Sequence, residues 1–298
     1  MPATTFTIVI NSKNVPNLAA LIKSAESNLT EITLQTDFSE LNDAELELFK
    51  IGLSVTPPTI RNINLSNTSP KPHTNLPGIL ASIPEHVGGI ILNDNDLAAL
   101  CQTNDEADKL LKQLGRFERV QLQNTELSQL PDSISFKWPE NKKTTSLNLS
   151  SNNLAEMSER RLVSFLQSIG SIGNLWLAGN NFSTPEHAET LSSALIACDF
   201  KPKAHLVLGN NPLGNHGINS FTKLFDKFHP NIEKLELYAV ELATLSFVEL
   251  KAFFSSIPPT LKALSIRGNK INVKTLNGTS RGYCRECAGW FSTSYCTN

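Results

Sequence analysis

The sequence has few cysteines, no long apolar run and no large excess of either charge. Its five cysteines are too few and too unevenly placed for a disulfide-stapled scaffold, which favours a reducing compartment. The sequence has no run of about 18 apolar residues, so it predicts no membrane-spanning helix. Its N-terminal segment also lacks the basic region of a secretory signal peptide. A net charge of −2 supplies no basic surface, so we expect neither nucleic acid nor an anionic membrane as a partner.

Motifs for catalysis are missing as well. The sequence contains no phosphate-binding loop, zinc-protease helix or nucleophile elbow. Cys198 and His205 are close in sequence, but Cys198 occupies an apolar helical position, which does not favour catalysis. We therefore predict that the protein is not an enzyme and holds no metal or cofactor. One alternative involves Cys284, Cys287 and Cys296, which would form a zinc or redox site only if a fourth ligand came from elsewhere; otherwise they belong to a capping tail.

What the sequence does have is an internal repeat with the pattern L-x-L-x-x-N-x-L. The clearest copies are LNLSSNNL, LWLAGNNF, LVLGNNPL and LSIRGNKI, which begin at Leu147, Leu175, Leu206 and Leu264. Weaker copies begin at Ile8, Ile32, Ile63, Ile90, Val120 and Leu235. Between them, helical spacing of apolar residues predicts helices over 42–53, 104–115, 158–170, 184–198, 215–228 and 246–257. Prolines limit the segments 69–84 and 128–141 to a short helix or an irregular connection.

Asparagine recurs at the turn that follows each clear copy of the motif. We expect its amide to pair with backbone groups of its own repeat and of the adjacent repeat, which stacking would otherwise leave without partners. This predicted ladder consists of Asn95, Asn152, Asn180, Asn211 and Asn269. The equivalent positions of the other copies hold Lys13, Asp37, Thr68, Thr125 and Val240, so we expect the ladder to be interrupted.

The repeats resemble the leucine-rich repeat family in its longer, ribonuclease-inhibitor-like form, over roughly residues 6 to 275. The resemblance implies an α/β solenoid, a horseshoe of about ten repeats with a parallel sheet on its concave face and helices on its convex face. It implies a leucine-rich repeat domain over 1–275, followed by a tail or cap over 276–298. It also implies a protein partner for a molecule that we expect to be monomeric.

Irregular repeats, prolines in two connectors and the lack of an export signal resemble the effector proteins that intracellular bacterial pathogens inject into host cells by type IV secretion. That resemblance implies a bacterial cytoplasmic protein that is delivered into the host cell and binds a host protein. Two alternatives from the enzyme class are a GTPase-activating protein, with Arg267 as the candidate arginine, and a ubiquitin-ligase-linked protein, which would need a further catalytic domain.

The residues that alternate with the buried leucines should lie on the concave face. They are polar and nearly neutral in the second to sixth repeats. In the last four repeats they include our candidate partner-binding residues, Trp176, His205, Val207, Lys234, Glu236, Tyr238 and Arg267. Tryptophan, tyrosine and arginine are enriched at binding hot spots, so we hypothesise that Trp176 is exposed because a partner covers it. The alternative is that Trp176 packs against a neighbouring side chain or the tail.

Overall fold

Parallel strands alternate with helices along the whole part of the chain that the computed structural model describes, residues 5–24, 28–71 and 75–271. The chain divides into two compact units, Met1–Asn152 and Asn153–Asn298. The first unit contains the strands β1 Thr5–Val9, β2 Glu31–Gln35, β3 Asn62–Asn64, β4 Gly89–Ile91, β5 Arg119–Gln121 and β6 Ser146–Asn148. The second unit contains β7 Ile172–Trp176, β8 Phe200–Val207, β9 Ile232–Glu236 and β10 Ala263–Ser265. Within each unit the strands pair in chain order, as in a leucine-rich-repeat fold.

Helices follow most of the strands at the predicted places. They are α1 Leu18–Lys23, α2 Asp43–Ser54, α3 Leu76–Ala81, α4 Leu97–Leu100, α5 Asn104–Leu114, α6 Glu159–Ser168, α7 Pro185–Ala197, α8 Asn219–Asp226 and α9 Phe247–Ser256. Among its described residues, the proline-containing segment 69–84 contains the six-residue α3 and no longer helix, and the segment 128–141 contains no α-helix. The sequence-based expectations for the six longer helices and for both proline-containing connections are therefore confirmed.

The leucine pairs of the motif form the core of each unit. In the second unit, register places Leu175, Leu206, Leu235 and Leu264 side by side on consecutive strands. The first three of these are at most 1% exposed. Burying one leucine side chain contributes about 1.5–3 kcal/mol, so a row of them accounts for much of what holds neighbouring repeats together.

Side-chain caps fix where several helices begin. Asn42 at the start of α2 accepts a hydrogen bond from the Glu45 N–H, and the Glu45 carboxylate accepts one from the Asn42 N–H. The same reciprocal arrangement starts α5 and α9. At α7, Thr184 Oγ1 accepts from the His187 N–H at 3.2 Å and proline occupies the first turn, where its missing N–H costs no helical hydrogen bond.

The first repeat departs from the predicted register. We placed its motif at Ile8, but Phe6 pairs with Ile32 and Ile8 pairs with Leu34. The motif of this repeat therefore begins two residues earlier, at Phe6. Ile10, which is 4% exposed, continues the alternation of buried residues, and this long apolar run made the start ambiguous in the sequence.

The ladder asparagines are buried and use both ends of their amides. Asn95 Nδ2 donates to the Leu65 and Leu92 carbonyls at 2.8 and 2.9 Å, and its Oδ1 accepts from the Thr68 N–H at 2.8 Å. Asn152, Asn211 and Asn269 likewise donate to carbonyls of their own repeat and of the preceding one. Asn180 Oδ1 accepts from the Leu154 N–H at 3.3 Å.

Threonine occupies two places where the sequence indicated an interruption of the ladder. Thr68 and Thr125 are fully buried, and each Oγ1 donates to a carbonyl three residues earlier, that of Leu65 or Leu122. Threonine thus takes over the contact within its own repeat but has no second donor for the preceding one. The predicted boundary between 275 and 276, and the three C-terminal cysteines, lie outside the described residues.

Candidate functional site

The candidate residues lie on the face of the second unit's sheet that is opposite its leucine core, which we call the open face. Register places Trp176 beside Val207, Val207 beside Glu236, and Glu236 beside Ser265. Neighbouring strands of a sheet are about 4.8 Å apart, so these four side chains form a row across the strands. The row exists because each of these residues follows the first leucine of its motif.

Trp176 is half-buried and is not part of the core. Its indole ring contacts the His205 imidazole edge to face, with ring centroids 6.0 Å apart and planes inclined by 61°. The buried leucines on either side, Leu175 and Leu177, fix the strand beneath it. The indole therefore presents apolar area to solvent from a position that its own strand determines.

Val207 differs from its neighbours because it is only 2% exposed. It lies between Trp176 and Glu236 in the row, and their larger side chains leave little of it accessible. Val207 therefore supports the side chains around it and offers almost no contact area of its own.

Tyr238 lies flat on the backbone of Gly209. A β-carbon added at Gly209 would fall 2.3–2.4 Å from three atoms of the Tyr238 ring, so only glycine leaves room for the ring there. Burial raises the pKa of the Tyr238 hydroxyl, and the Glu236 carboxylate adds to that effect while Arg267 opposes it. The guanidinium carbon of Arg267 lies 5.7 Å from the ring centroid, within the range of a cation–π contact.

Glu236 contacts one side chain from the repeat on each side of its own. Its Oε1 lies 3.1 Å from His205 Nε2, and its Oε2 lies 3.3 Å from an Arg267 guanidinium nitrogen. Side-chain exposure is 22% for His205 and 25% for Glu236, against 60% for Arg267. The structure thus brings Trp176, His205, Glu236, Arg267 and Tyr238 into one connected series of contacts.

Lys234 occupies the same end of the sheet as His205, to which it is matched in register. It is exposed, and it has no ion pair among the residues that the structure describes. Its ammonium group is the one free charge among our seven candidate residues.

The rest of the described chain offers little that resembles a chemical site. A depression of about 470 Å³ in the first unit is lined by the ladder residue Asn95 and by residues that the sequence did not single out, namely Asp94, Asp96, Asn124, Glu126 and Gln129. No group of three or more His, Cys, Asp or Glu within the described ranges could hold a metal ion. Burial raises the pKa of the Cys101 thiol to about 12, so this thiol stays protonated. No helix in the described part is long and apolar enough to cross a membrane.

The repeat geometry defines an α/β leucine-rich-repeat fold. No protein-family model and no curated protein matches its sequence. In structure it is similar to the leucine-rich repeat-containing protein LegL7 from Legionella pneumophila, with a TM-score of 0.69. The similarity covers 95% of this chain and 86% of that chain at 21% sequence identity, which shows a common fold.

Proposed function

We propose that this chain is a non-enzymatic protein-binding module and that the open face of its second unit contacts the partner. The observation that carries the proposal is the accessible Trp176 indole beside His205, in a row where most outward-facing residues of such a sheet would be small or polar. A large aromatic side chain with few rotatable bonds gives contact area at a low cost in conformational entropy.

The surroundings of Trp176 support this role. Tyr238 is held on Gly209, and Arg267 and His205 are both held by Glu236. Side chains that are already positioned in the free protein lose less entropy when they bind. Aromatic anchors within a frame of paired charges match the composition of binding hot spots, whereas the neutral amides of the first unit do not.

Affinity capture with wild-type protein and with Trp176→Ser/Tyr238→Ser tests the proposal. We expect the double variant to lose a partner that wild type retains, and purified partner to bind at least about tenfold more weakly, because two hot-spot side chains are removed. Ile91→Ser is the matched control, since Ile91 is a half-buried apolar residue in the equivalent row of the first unit.

Stability distinguishes binding from packing. We expect Trp176→Ser to change the free energy of unfolding by no more than about 1 kcal/mol, because the indole is outside the core and partly accessible to solvent. A loss of about 3 kcal/mol or more, or capture that is equal for wild type and the double variant, would show that Trp176 serves packing instead.

We further propose that the protein acts as a monomer and is delivered from a bacterial cytoplasm into a host cell, where its partner is a host protein. The irregular repeats and the structural similarity to a Legionella protein support this extension. A translocation reporter fused to the chain should appear in host cytosol from a bacterium with a working type IV system and not from a secretion-deficient strain. Equal signals from both strains would contradict delivery by this route.

A further inference from the structure

Strand β8 contains a β-bulge just before His205 and Val207, the residues that it contributes to the open face. Ile172 pairs with Phe200 and Asn174 pairs with His205, so the four residues 201–204 stand opposite Gly173 alone. Lys203 has a φ of +65°, a left-handed conformation that is uncommon for lysine. Bulges redirect side chains, and here the extra residues are Lys201, Pro202 and Lys203, all of them exposed.

The next repeat closes this bulge. Asn231 Nδ2 donates to the Phe200 carbonyl at 2.7 Å, at the beginning of the bulge. The Asn231 carbonyl accepts from the Ala204 N–H at 2.9 Å, at its end. Asn231 is positioned in turn by its own N–H, which donates to His229 Nδ1 at 3.1 Å, and the His229 ring packs on Phe200 with centroids 5.2 Å apart. The two ends of the loop that carries Lys201 and Lys203 are therefore held by hydrogen bonds already in the free protein.

Positive charge predominates at this end of the sheet. Lys201, Lys203 and Lys234 have no ion pair within the described residues. Two of the nearby carboxylates are already engaged: Glu233 pairs with Lys262 at 2.9 Å, and Glu236 lies between His205 and Arg267. Asp199 has no ion pair within the described residues, and its charge raises the pKa of His229 against the larger lowering effect of burial. Lys201, Lys203 and Lys234 are thus exposed lysines without an ion pair within the described residues, and they lie on the neighbouring strands β8 and β9 of a chain whose net charge is −2.

We propose that Lys201, Lys203 and Lys234, which we call the basic cluster, bind an acidic segment of the protein partner. In this arrangement an apolar side chain of the same segment covers Trp176, because His205 is adjacent both to the indole and, in register, to Lys234. The inference rests on the proposed function of the open face and specifies the chemistry of what binds there.

Charge and shape favour an acidic protein segment over nucleic acid. A nucleic-acid backbone is a continuous series of phosphates and needs an extended basic surface. Here Glu233, Glu236 and Asp199 interrupt the positive charge within a few residues. Isolated aspartate or glutamate side chains can reach the free lysines while avoiding those carboxylates, and unlike charges at the edge of an interface speed association.

A random peptide library displayed on phage and selected against the wild-type protein provides the probe. We expect the selected peptides to be enriched in Asp and Glu next to an apolar residue. For a synthetic peptide from that set, Lys201→Ser/Lys203→Ser should raise the dissociation constant about fivefold, as expected for the loss of two exposed charge pairs. Higher salt should weaken wild-type binding more than it weakens binding by this variant.

Lys112→Ser/Lys227→Ser is the matched control, since it removes two exposed lysines outside the basic cluster and gives the same net charge. We expect its affinity to equal that of wild type. Asn231→Ala, which opens the bulge without changing charge, should also weaken binding. Thermal unfolding of every variant verifies that it is folded.

Three outcomes would overturn the inference. The first is a set of selected peptides that is not enriched in Asp and Glu. The second is equal affinity of Lys201→Ser/Lys203→Ser and its control Lys112→Ser/Lys227→Ser for the peptide. In either case, loss of peptide binding by Trp176→Ser would still support the proposed function. Peptide binding that Trp176→Ser retains would contradict both the inference and the proposed function. The third is tighter binding of a random DNA duplex than of any peptide, abolished by Lys201→Ser/Lys203→Ser, which would assign the basic cluster to nucleic acid.

Discussion

The two units use the same strand positions for different surfaces. In the first unit the side chains on the face opposite the leucine core bond to one another: Asn64 Oδ1 accepts from the Ser66 hydroxyl at 2.6 Å, and Arg119 donates to Asn62 Oδ1 at 3.0 Å. In the second unit the same positions carry an indole and a phenol framed by ion pairs. Polar groups that are satisfied internally gain little from a partner, while apolar area still exposed to water does. The comparison separates the leucine positions, which determine the fold, from the positions between them, which distinguish one surface from another.

The largest expected effect concerns the ladder, where asparagine in one unit can be compared with threonine in the other. Asn211 Nδ2 donates to the Leu177 and Leu208 carbonyls, and its Oδ1 accepts from the Asn180 N–H. Asn211→Ala should cost about 3 kcal/mol in the free energy of unfolding, because it leaves several buried backbone groups without partners. Urea unfolding measures this cost.

Thr125→Ala is the counterpart in the first unit and should cost only about 1 kcal/mol. The Leu122 carbonyl that loses the threonine hydroxyl still accepts from Asn152 Nδ2 at 2.7 Å. Equal costs for the two variants would show that threonine replaces asparagine completely.

Two glycines provide the next comparison, Gly209 on the open face and Gly89 on the equivalent face of the first unit. Gly209→Ala should cost about 1–2 kcal/mol, because the added methyl group displaces the Tyr238 ring and the contacts that the ring makes with Arg267. Gly89→Ala in the first unit meets the Asn62 amide oxygen, which can rotate away at the loss of its exposed hydrogen bond from Arg119, so we expect less than about 1 kcal/mol. Thermal unfolding of both variants tests the difference; a larger cost for Gly89→Ala would contradict it.

Removing the shared carboxylate should have a smaller effect. Glu236→Gln should reduce stability by about 0.5–1 kcal/mol and lessen its dependence on salt, since Arg267 loses its ionic partner and His205 loses its contact with a carboxylate. Glu31→Gln in the first unit, where the nearest bond is from Asn62 at 3.5 Å, should change stability by less than about 0.3 kcal/mol. Urea unfolding at low and high salt measures both, and an unchanged Glu236→Gln variant would show that the two contacts are energetically neutral.

The smallest effect is a dependence of stability on alkaline pH. Burial raises the pKa of Tyr238 above its ordinary 10.0, so above that pH the unfolded chain loses its proton before the folded one does. Stability that is present below about pH 10 is therefore lost as the pH rises toward the folded-state pKa. Tyr238→Phe should show a shallower decline above pH 10 than wild type in urea unfolding. Cys101, whose pKa is also raised, contributes equally to both proteins, and identical slopes would mean that Tyr238 has no part in the decline.

Much of the fold could be predicted from the sequence because its period is physical. Leucines that alternate along a strand and recur at each repeat determine which face is buried, and from the second repeat onward the registers within each unit agree with the predicted motif positions. The same alternation located the row that contains Trp176. The alternation predicted the wrong start of the motif at β1, because Phe6, Ile8 and Ile10 allow more than one start.

Features that depend on contacts between neighbouring repeats could not be predicted from the sequence of one repeat. The burial of Val207 results from the side chains beside it, and the position of the Tyr238 ring results from the absence of a side chain at Gly209. The bulge in β8 did leave a trace, since 31 residues separate Leu175 from Leu206. Only the structure shows that the additional length is placed beside the open face and closed by Asn231.

Closure of the bulge by Asn231 has a consequence for transplanting this surface onto another scaffold. Repeats of a solenoid are usually exchanged one at a time, because each contacts only its neighbours. A segment moved with β8 and α8 alone would carry Lys201 and Lys203 but leave behind the Asn231 amide that holds the ends of their loop. The smallest portable cassette therefore extends from β8 through β9.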